Sequence, residues 1–169
     1  MVVTDEHDEN SSLISDEFTN PHKRRRMVEK RARKFKPAIK DIKPPELEGA
    51  DDADITLVGW GSSYGVIKEA VEILAQQGVS ANHLAVKWIV PFHGEEITEI
   101  LSKCKQVVVV ENNYSGQFYR YMRSETGLTV NGHIRKYDGE PFIPHHIVDG
   151  ALAHLAEKIE CYVPYQEAI

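Results

Sequence analysis

The run Val107-Val108-Val109-Val110 places a β-branched apolar side chain at every position, so as a strand it presents valine to both faces at once. Such a strand is stable only inside a sheet that is covered on both sides, the usual setting of parallel strands. Two more segments carry the same signature. Asp54 precedes Ile55-Thr56-Leu57-Val58, which ends at Gly59, and Leu84-Ala85-Val86-Lys87-Trp88-Ile89-Val90 runs up to Pro91. Between and after them the apolar residues change to helical spacing. Val66, Ile67, Ala70, Val71 and Leu74 form one stripe, closed by Gly78 as a C-terminal cap. Ile97, Ile100 and Leu101 form a second, with Glu95 and Glu96 in the first turn, where carboxylates suit the helix dipole. Phe118, Tyr121 and Met122 mark a third helix, and Ile147, Val148, Ala151, Leu152, Leu155 and Ile159 a fourth. Thr129-Val130 and Ile134 to Tyr137 read as weaker strands or edge segments. Strand alternating with helix at this spacing predicts an α/β domain, a three-layer sandwich around a largely parallel sheet.

Composition narrows the function classes. With 41% hydrophobic residues, the chain of 169 residues is too apolar to be intrinsically disordered. No stretch approaches ~20 uninterrupted apolar residues, so no membrane span is expected. No apolar segment of signal-peptide type follows Met1, which makes the cytoplasm the expected location. Cys104 and Cys161 are too few for a disulfide framework or a four-thiolate site. The flanking Lys103 and Lys105 favour a thiolate at Cys104, but a plain helix-end cysteine is the more ordinary reading.

Charge is uneven along the chain. Asp5-Glu6-His7-Asp8-Glu9, with Asp16 and Glu17, makes an acidic lead. Lys23-Arg24-Arg25-Arg26, Lys30, Arg31, Arg33, Lys34 and Lys36 follow, with Met27, Val28, Ala32 and Phe35 at helical spacing between them. From Pro37 through Pro44-Pro45 to Gly49 the sequence reads as an extended connector. Residues 1–49 are therefore expected to form an arm, 50–160 the α/β domain and 161–169 a C-terminal tail. The basic stretch would attract phosphate. It lacks the interleaved aromatics of a single-strand binder and has acidic residues beside it. An acidic protein surface is the expected partner of this helix, not nucleic acid.

Ligands of such sheets meet the loops that leave the carboxyl ends of the strands. Two loops there are chemically rich. Gly59, Gly61, Ser62 and Ser63 precede a helix whose free N–H groups suit an anion. The ordinary alternative is that the glycines make the turn and a serine caps the helix. A dinucleotide fingerprint would need glycine where Tyr64 stands. In the second loop Glu111, Asn112, Asn113, Gly116 and Gln117 gather a carboxylate and three amides at one strand end. They suit a subunit contact, or else turn and capping chemistry. No acid–base partner for Glu111 is identifiable from spacing. His145 and His146 open the last helix while His83, His93, His133 and His154 are scattered, without metal-ligand spacing, and read as surface or helix-start residues.

Four ordered motifs then carry a resemblance. They are Val58-Gly59-Trp60-Gly61-Ser62, Trp88-Ile89-Val90-Pro91-Phe92 with Glu95-Glu96, Val109-Val110-Glu111-Asn112-Asn113 with Gly116-Gln117, and Tyr137-Asp138-Gly139-Glu140-Pro141-Phe142. Together they resemble the C-terminal part of the alpha subunit of 2-oxoacid:ferredoxin oxidoreductases, the 2-oxoglutarate type most of all. Asp5 to Asn10 and Met27 to Arg31 are similar to the segment joining that subunit's two domains. His93 departs from the pattern, which tends to have proline there.

The resemblance implies a domain like the C-terminal one of transketolase. It implies an enzyme that oxidatively decarboxylates a 2-oxoacid, forms an acyl-coenzyme A and passes electrons through iron–sulfur clusters to ferredoxin. Thiamine diphosphate with magnesium does the carbanion chemistry in that family. It lies between a beta subunit and a pyrimidine-binding alpha domain, which would precede Asp5. The diphosphate motif begins Gly-Asp-Gly, whereas this chain has Tyr137-Asp138-Gly139. The expectation is thus a non-catalytic domain or split subunit that holds no cofactor or metal itself and has no turnover alone. Its partners would be the beta subunit and the pyrimidine-binding domain, with ferredoxin reached indirectly. A second expectation, of another class, is an autonomous nucleotide- or anion-binding regulatory module that uses Gly59 to Gly65 as its cradle.

Overall fold

The computed structural model describes residues 20–164. The acidic lead Asp5–Glu9, with Asp16 and Glu17, lies outside the described residues, as do residues 165–169. The chain divides between Lys43 and Pro44 into two units. The first contains helix α1 (Pro21–Asp41), which begins at Asn20, whose side chain accepts from the Lys23 amide at 3.1 Å. Pro21 occupies a first-turn position, where its missing N–H is no loss. The helix is longer than the sequence reading gave. Pro37 lies within it, and the turn that ends it comes at Ile42. Arg25 and Glu29 pair one turn apart at 2.9 Å, and of the remaining basic residues Arg24, Arg26, Arg31, Arg33, Lys34 and Lys36 are exposed while Lys23 and Lys30 are half-buried.

The second unit is a six-stranded sheet between two helical layers. Strands β1 (Leu47–Glu48), β2 (Ile55–Trp60), β3 (Ala81–Val86), β4 (Val107–Glu111), β5 (Gly132–Arg135) and β6 (Cys161–Tyr162) lie in the order β1-β3-β2-β4-β5-β6. Among the described residues only the β1–β3 pair is antiparallel. The α/β class and largely parallel sheet expected from the valine run are therefore what forms. Ile55, Leu57, Val108, Val110 and Ile134 point to one face and pack on α2 (Tyr64–Gln76) and α5 (Pro144–Glu157) through Ile67, Leu74, Ile147 and Ala151. Val58, Leu84, Val107 and Val109 point to the other and meet α3 (Gly94–Leu101) and α4 (Gln117–Thr126) through Ile97, Leu101, Phe118 and Met122. Adjacent valines of β4 thus feed two separate cores, which is why alternation is absent from its sequence. No helix among the described residues is long and apolar enough to cross a membrane.

Several boundaries differ from the sequence reading, each for a local reason. Leu47–Glu48, placed in the connector, pairs with His83 and Leu84 as an edge strand, and Cys161–Tyr162, placed in the tail, pairs with β5. Strand β3 stops at Val86 although the apolar run continues to Val90. Its partner β2 ends opposite it at Trp60, where the chain turns at Gly61, so Lys87 to Val90 have no ladder to join. Thr129-Val130 forms no strand, because Asn131 takes the position beside Val107 through bonds of 2.7 and 2.8 Å. Ile159 falls outside α5, which ends at Lys158 in the left-handed conformation. The histidines differ most from expectation. His83, His93 and His154 are buried rather than on the surface, and His146, in the first turn of α5 as expected, is buried too. His154 bridges the Ile159 carbonyl at 2.9 Å and Gln106 at 3.1 Å, so burial there is matched by partners.

His83 is the exception. It is 2% exposed, neither ring nitrogen has a partner, and the Tyr64 ring lies 5.5 Å away. Burial pushes its pKa down to about 4, with Glu48 opposing. The folded chain therefore keeps His83 neutral while the unfolded chain protonates it near 6.5. Stability from this residue is fully present above that value and is lost as pH falls toward 4. Between about pH 7.5 and about pH 4.5, His83→Leu should lose ~2 kcal/mol less stability than the native chain, measured by urea unfolding. Equal losses in both proteins would contradict this account.

Candidate functional site

The two loops singled out by sequence are neighbours, because β2 and β4 pair directly through Thr56–Val107, Leu57–Val108 and Val58–Val109. Both leave the same edge of the sheet, where the connections diverge to opposite sides. Trp60, the last residue of β2, stacks on Phe118 of α4 with ring centres 5.9 Å apart. The Tyr137 to Phe142 loop leaves β5 on the same edge and is tied in by Asn112, whose amide donates to the Glu140 carbonyl at 3.4 Å.

In the first loop the serines do not cap α2. Gly61 to Ser63 form a short tight turn, and the Ser63 hydroxyl donates back to the Trp60 carbonyl at 2.8 Å. Gly61 has a φ of 59°, in the left-handed region. Gly59 is required by packing. A Cβ there would lie 2.2 Å from Ile67 Cδ1 and 2.7 Å from Ser63 Oγ, so any side chain would force the buried Ile67 and the Ser63 hydroxyl to move. The glycines thus serve the turn and close helix packing, and the Ser63 hydroxyl is engaged internally. That does not favour this loop as an anion cradle.

The second loop is organised by Glu111, the last residue of β4, which is 1% exposed. Its Oε2 accepts from the Phe118 amide at 2.8 Å and from Asn113 Nδ2 at 2.7 Å, and its Oε1 accepts from the Tyr119 amide at 2.9 Å. Asn113 Oδ1 accepts in turn from the amides of Gly116, at 2.7 Å, and Gln117, at 3.1 Å. Four successive N–H groups that a helix start leaves without helical partners are thereby met by two side chains. A carboxylate also suits the positive end of the helix dipole. Gly116 makes the geometry possible by entering α4 at φ 67°. This end of the sheet has the form of an anion site, but the chain's own carboxylate fills it. Glu111 and Asn113 build the loop, whereas Gln117 and Asn112 are left exposed.

Sequence reasoning missed Lys136, which is 2% exposed and ends in a tight ion pair with Asp138. Its ammonium also donates to the Glu140 carbonyl at 3.1 Å, and Asp138 accepts from the Glu140 amide at 3.1 Å. The Lys136 hydrogen bond holds the Asp138 carboxyl below the usual carboxylate range. A buried lysine latches the Asp138-Gly139-Glu140 turn, and a lone cation between a strand and a turn carries no sequence signal. His146 helps on the far side, where its Nδ1 accepts from the Ile143 amide at 3.3 Å.

Also unassigned by sequence is the aromatic rim of this edge. Each central parallel strand runs out into an exposed aromatic ring. Trp60 is 41% exposed, Trp88 51%, Tyr114 74% and Tyr137 46%. Tyr114 and Tyr137 meet edge to face at 5.0 Å. No cluster of three or more His, Cys, Asp or Glu side chains fit to hold a metal exists among the described residues.

Comparison with known proteins places these features. Residues 53–147 match the family described as pyruvate:ferredoxin oxidoreductase core domain II. The chain is 34% identical over 154 residues to subunit alpha of 2-oxoacid:ferredoxin oxidoreductase 1 of Aeropyrum pernix, covering 88% of this chain and 23% of that subunit. It spans about a quarter of the length of the curated relatives it matches. Among solved structures it is similar to 2-oxoglutarate:ferredoxin oxidoreductase of Magnetococcus marinus, with a TM-score of 0.72 and 27% identity, over 92% of this chain and 26% of that one. A transketolase of Pichia stipitis shares the fold, with a TM-score of 0.51 and 16% identity, over 75% of this chain and 20% of that one.

Replacing Glu111 by Gln turns an NH2 toward backbone donors that need an acceptor. We expect Glu111→Gln to cost about 2–3 kcal/mol in urea unfolding, since a buried N–H is left unmet. Gln117→Ala, at an exposed position, should stay within about 0.5 kcal/mol of the native chain.

Proposed function

The chain belongs to the pyruvate:ferredoxin oxidoreductase core domain II family, and from that premise we propose that it is a non-catalytic building domain of a 2-oxoacid:ferredoxin oxidoreductase. The aromatic edge of the sheet is its docking face. The observation that carries this reading is the set of exposed rings at four parallel strand ends, Trp60, Trp88, Tyr114 and Tyr137. Aromatic rings are enriched at protein interfaces because they bury much area at little entropic cost. The Glu111–Asn113 cap and the Lys136 latch hold the loops between them in one conformation, which lowers the cost of docking.

In this proposal the complete enzyme decarboxylates a 2-oxoacid to an acyl-coenzyme A and sends the electrons to ferredoxin. Its thiamine diphosphate, magnesium and iron–sulfur clusters are held elsewhere. The described residues do not fit the diphosphate group. They offer no metal-ligating cluster, and the α4 helix start, which would suit a phosphate, is closed by the Glu111 carboxylate. The partners are the beta subunit and the pyrimidine-binding alpha domain, the assembly is a hetero-oligomer, and the location is the cytoplasm. The basic face of α1 supplies a second docking element for an acidic surface.

The test is reconstitution with the remaining subunits, read by size-exclusion chromatography and by 2-oxoacid-dependent dye reduction. Trp88→Ala should weaken assembly at least about tenfold, as loss of an aromatic anchor does. Gln117→Ala should weaken it less. Both variants should unfold at the native urea midpoint. Unchanged assembly and turnover in both would sink the proposal.

A further inference from the structure

A groove of about 370 Å³ opens on the same edge, beside β5, lined by Tyr114, Ser115, Arg120, Arg135, Tyr137 and Cys161, with Val163 at its end. Its charge runs against that of the chain. The formal net charge is −6, yet the groove lining contains two arginines and no carboxylate. Glu111, the nearest buried acid in the loop, is directed into the α4 backbone and does not line the groove.

The two arginines differ in a way that suits a binding site. Arg135, the last residue of β5, is fixed, since its Nη1 donates to the Tyr114 carbonyl at 2.9 Å and its Nε to Cys161 Sγ at 3.2 Å. Those bonds leave further guanidinium N–H donors without an acceptor among the described residues. Arg120, in the first turns of α4, is exposed, and its side chain makes no hydrogen bond or ion pair among the described residues. One cation is thus held in place and the other can close over a ligand, and a planar guanidinium pairs with phosphate oxygens through two parallel bonds. The Ser115 hydroxyl adds a neutral donor, and the Tyr114–Tyr137 pair adds an aromatic wall. The volume lies at the small end of the range for ligand pockets, ~300–1,000 Å³.

We infer that this groove binds the phosphate group of a small diphosphate-bearing ligand, with Arg135 as the fixed contact and Arg120 as the closing one. The site is separate from the Gly59 to Gly65 loop, and it shares Tyr114 and Tyr137 with the docking face proposed above, so its binding is tested on the undocked chain. The same chemistry has two sources, a nucleotide diphosphate or inorganic pyrophosphate, and the aromatic wall discriminates between them. The basic helix α1 is the competing explanation for any anion binding, so the experiment separates the two.

The full chain is titrated calorimetrically with pyrophosphate and with ADP at low ionic strength. Arg120→Ala should weaken both at least about tenfold. The double variant Lys30→Ala/Lys34→Ala, on α1, should bind both as the native chain does. If ADP binds more tightly than pyrophosphate and Tyr114→Ala removes the difference, the nucleotide is the ligand class. Equal affinities that Tyr114→Ala leaves unchanged assign the groove to the phosphate group alone. Absence of binding by either probe into the low-millimolar range overturns the inference. So does binding that survives Arg120→Ala and is lost in the α1 variant.

Discussion

The carboxylate of Glu111 is the contact on which this edge of the molecule depends. It sits where a parallel strand hands over to a helix, at 1% exposure, and accepts three hydrogen bonds from donors that would otherwise be buried unmet. A buried charge of this kind is tolerable only when its lone pairs are filled and an opposing field is present. The backbone amides and dipole of α4 provide both. Through Asn113 the same carboxylate sets the turn at Gly116 and the direction in which α4 leaves the sheet. The position of Phe118 under Trp60, and hence the spacing between the two strand-end loops, follows from it.

This arrangement changes how a strand–loop–helix unit should be interpreted. A helix start at the carboxyl end of a parallel sheet is often where a phosphate binds, and sequence alone shows a glycine-bearing loop in that place. Here the protein uses its own anion. The positive end of the dipole becomes a structural joint, and ligand or partner recognition moves outward to side chains on the rim. Arg120, Arg135 and the exposed rings lie beyond the joint.

Much of the fold was legible because burial on both sides leaves an unmistakable mark on β2 and β4, and because α2 and α3 have regular apolar stripes. The order of four motifs also pointed to the family. What could not be read depended on pairing across space. Strand β3 ended early because β2 ended, although its own sequence remained apolar to Val90. The two-residue strands β1 and β6 have too few positions for any period to appear. His83, His93 and His154 read as surface residues, since nothing local distinguishes a histidine set against a helix from one in water. At the site, the asparagines and Glu111 were recognisable as a polar cluster, but which amide each would satisfy follows from the entry angle of α4. Lys136 and the arginine groove arise from turns folding back on strands, and no spacing rule anticipates them.

The margins of the sheet bear on how this domain meets other chains. Both outermost strands have only two residues, and each adjoins proline, Pro44-Pro45 before Leu47 and Pro164 after Val163. Short edges broken by residues without an N–H offer an incoming strand almost no ladder to extend. Growth of the sheet sideways from β1 or β6 is disfavoured. Association through backbone pairing, the route to domain-swapped or fibrillar assemblies, is therefore disfavoured at these two strands. Side-chain surfaces remain the means by which neighbours can be told apart.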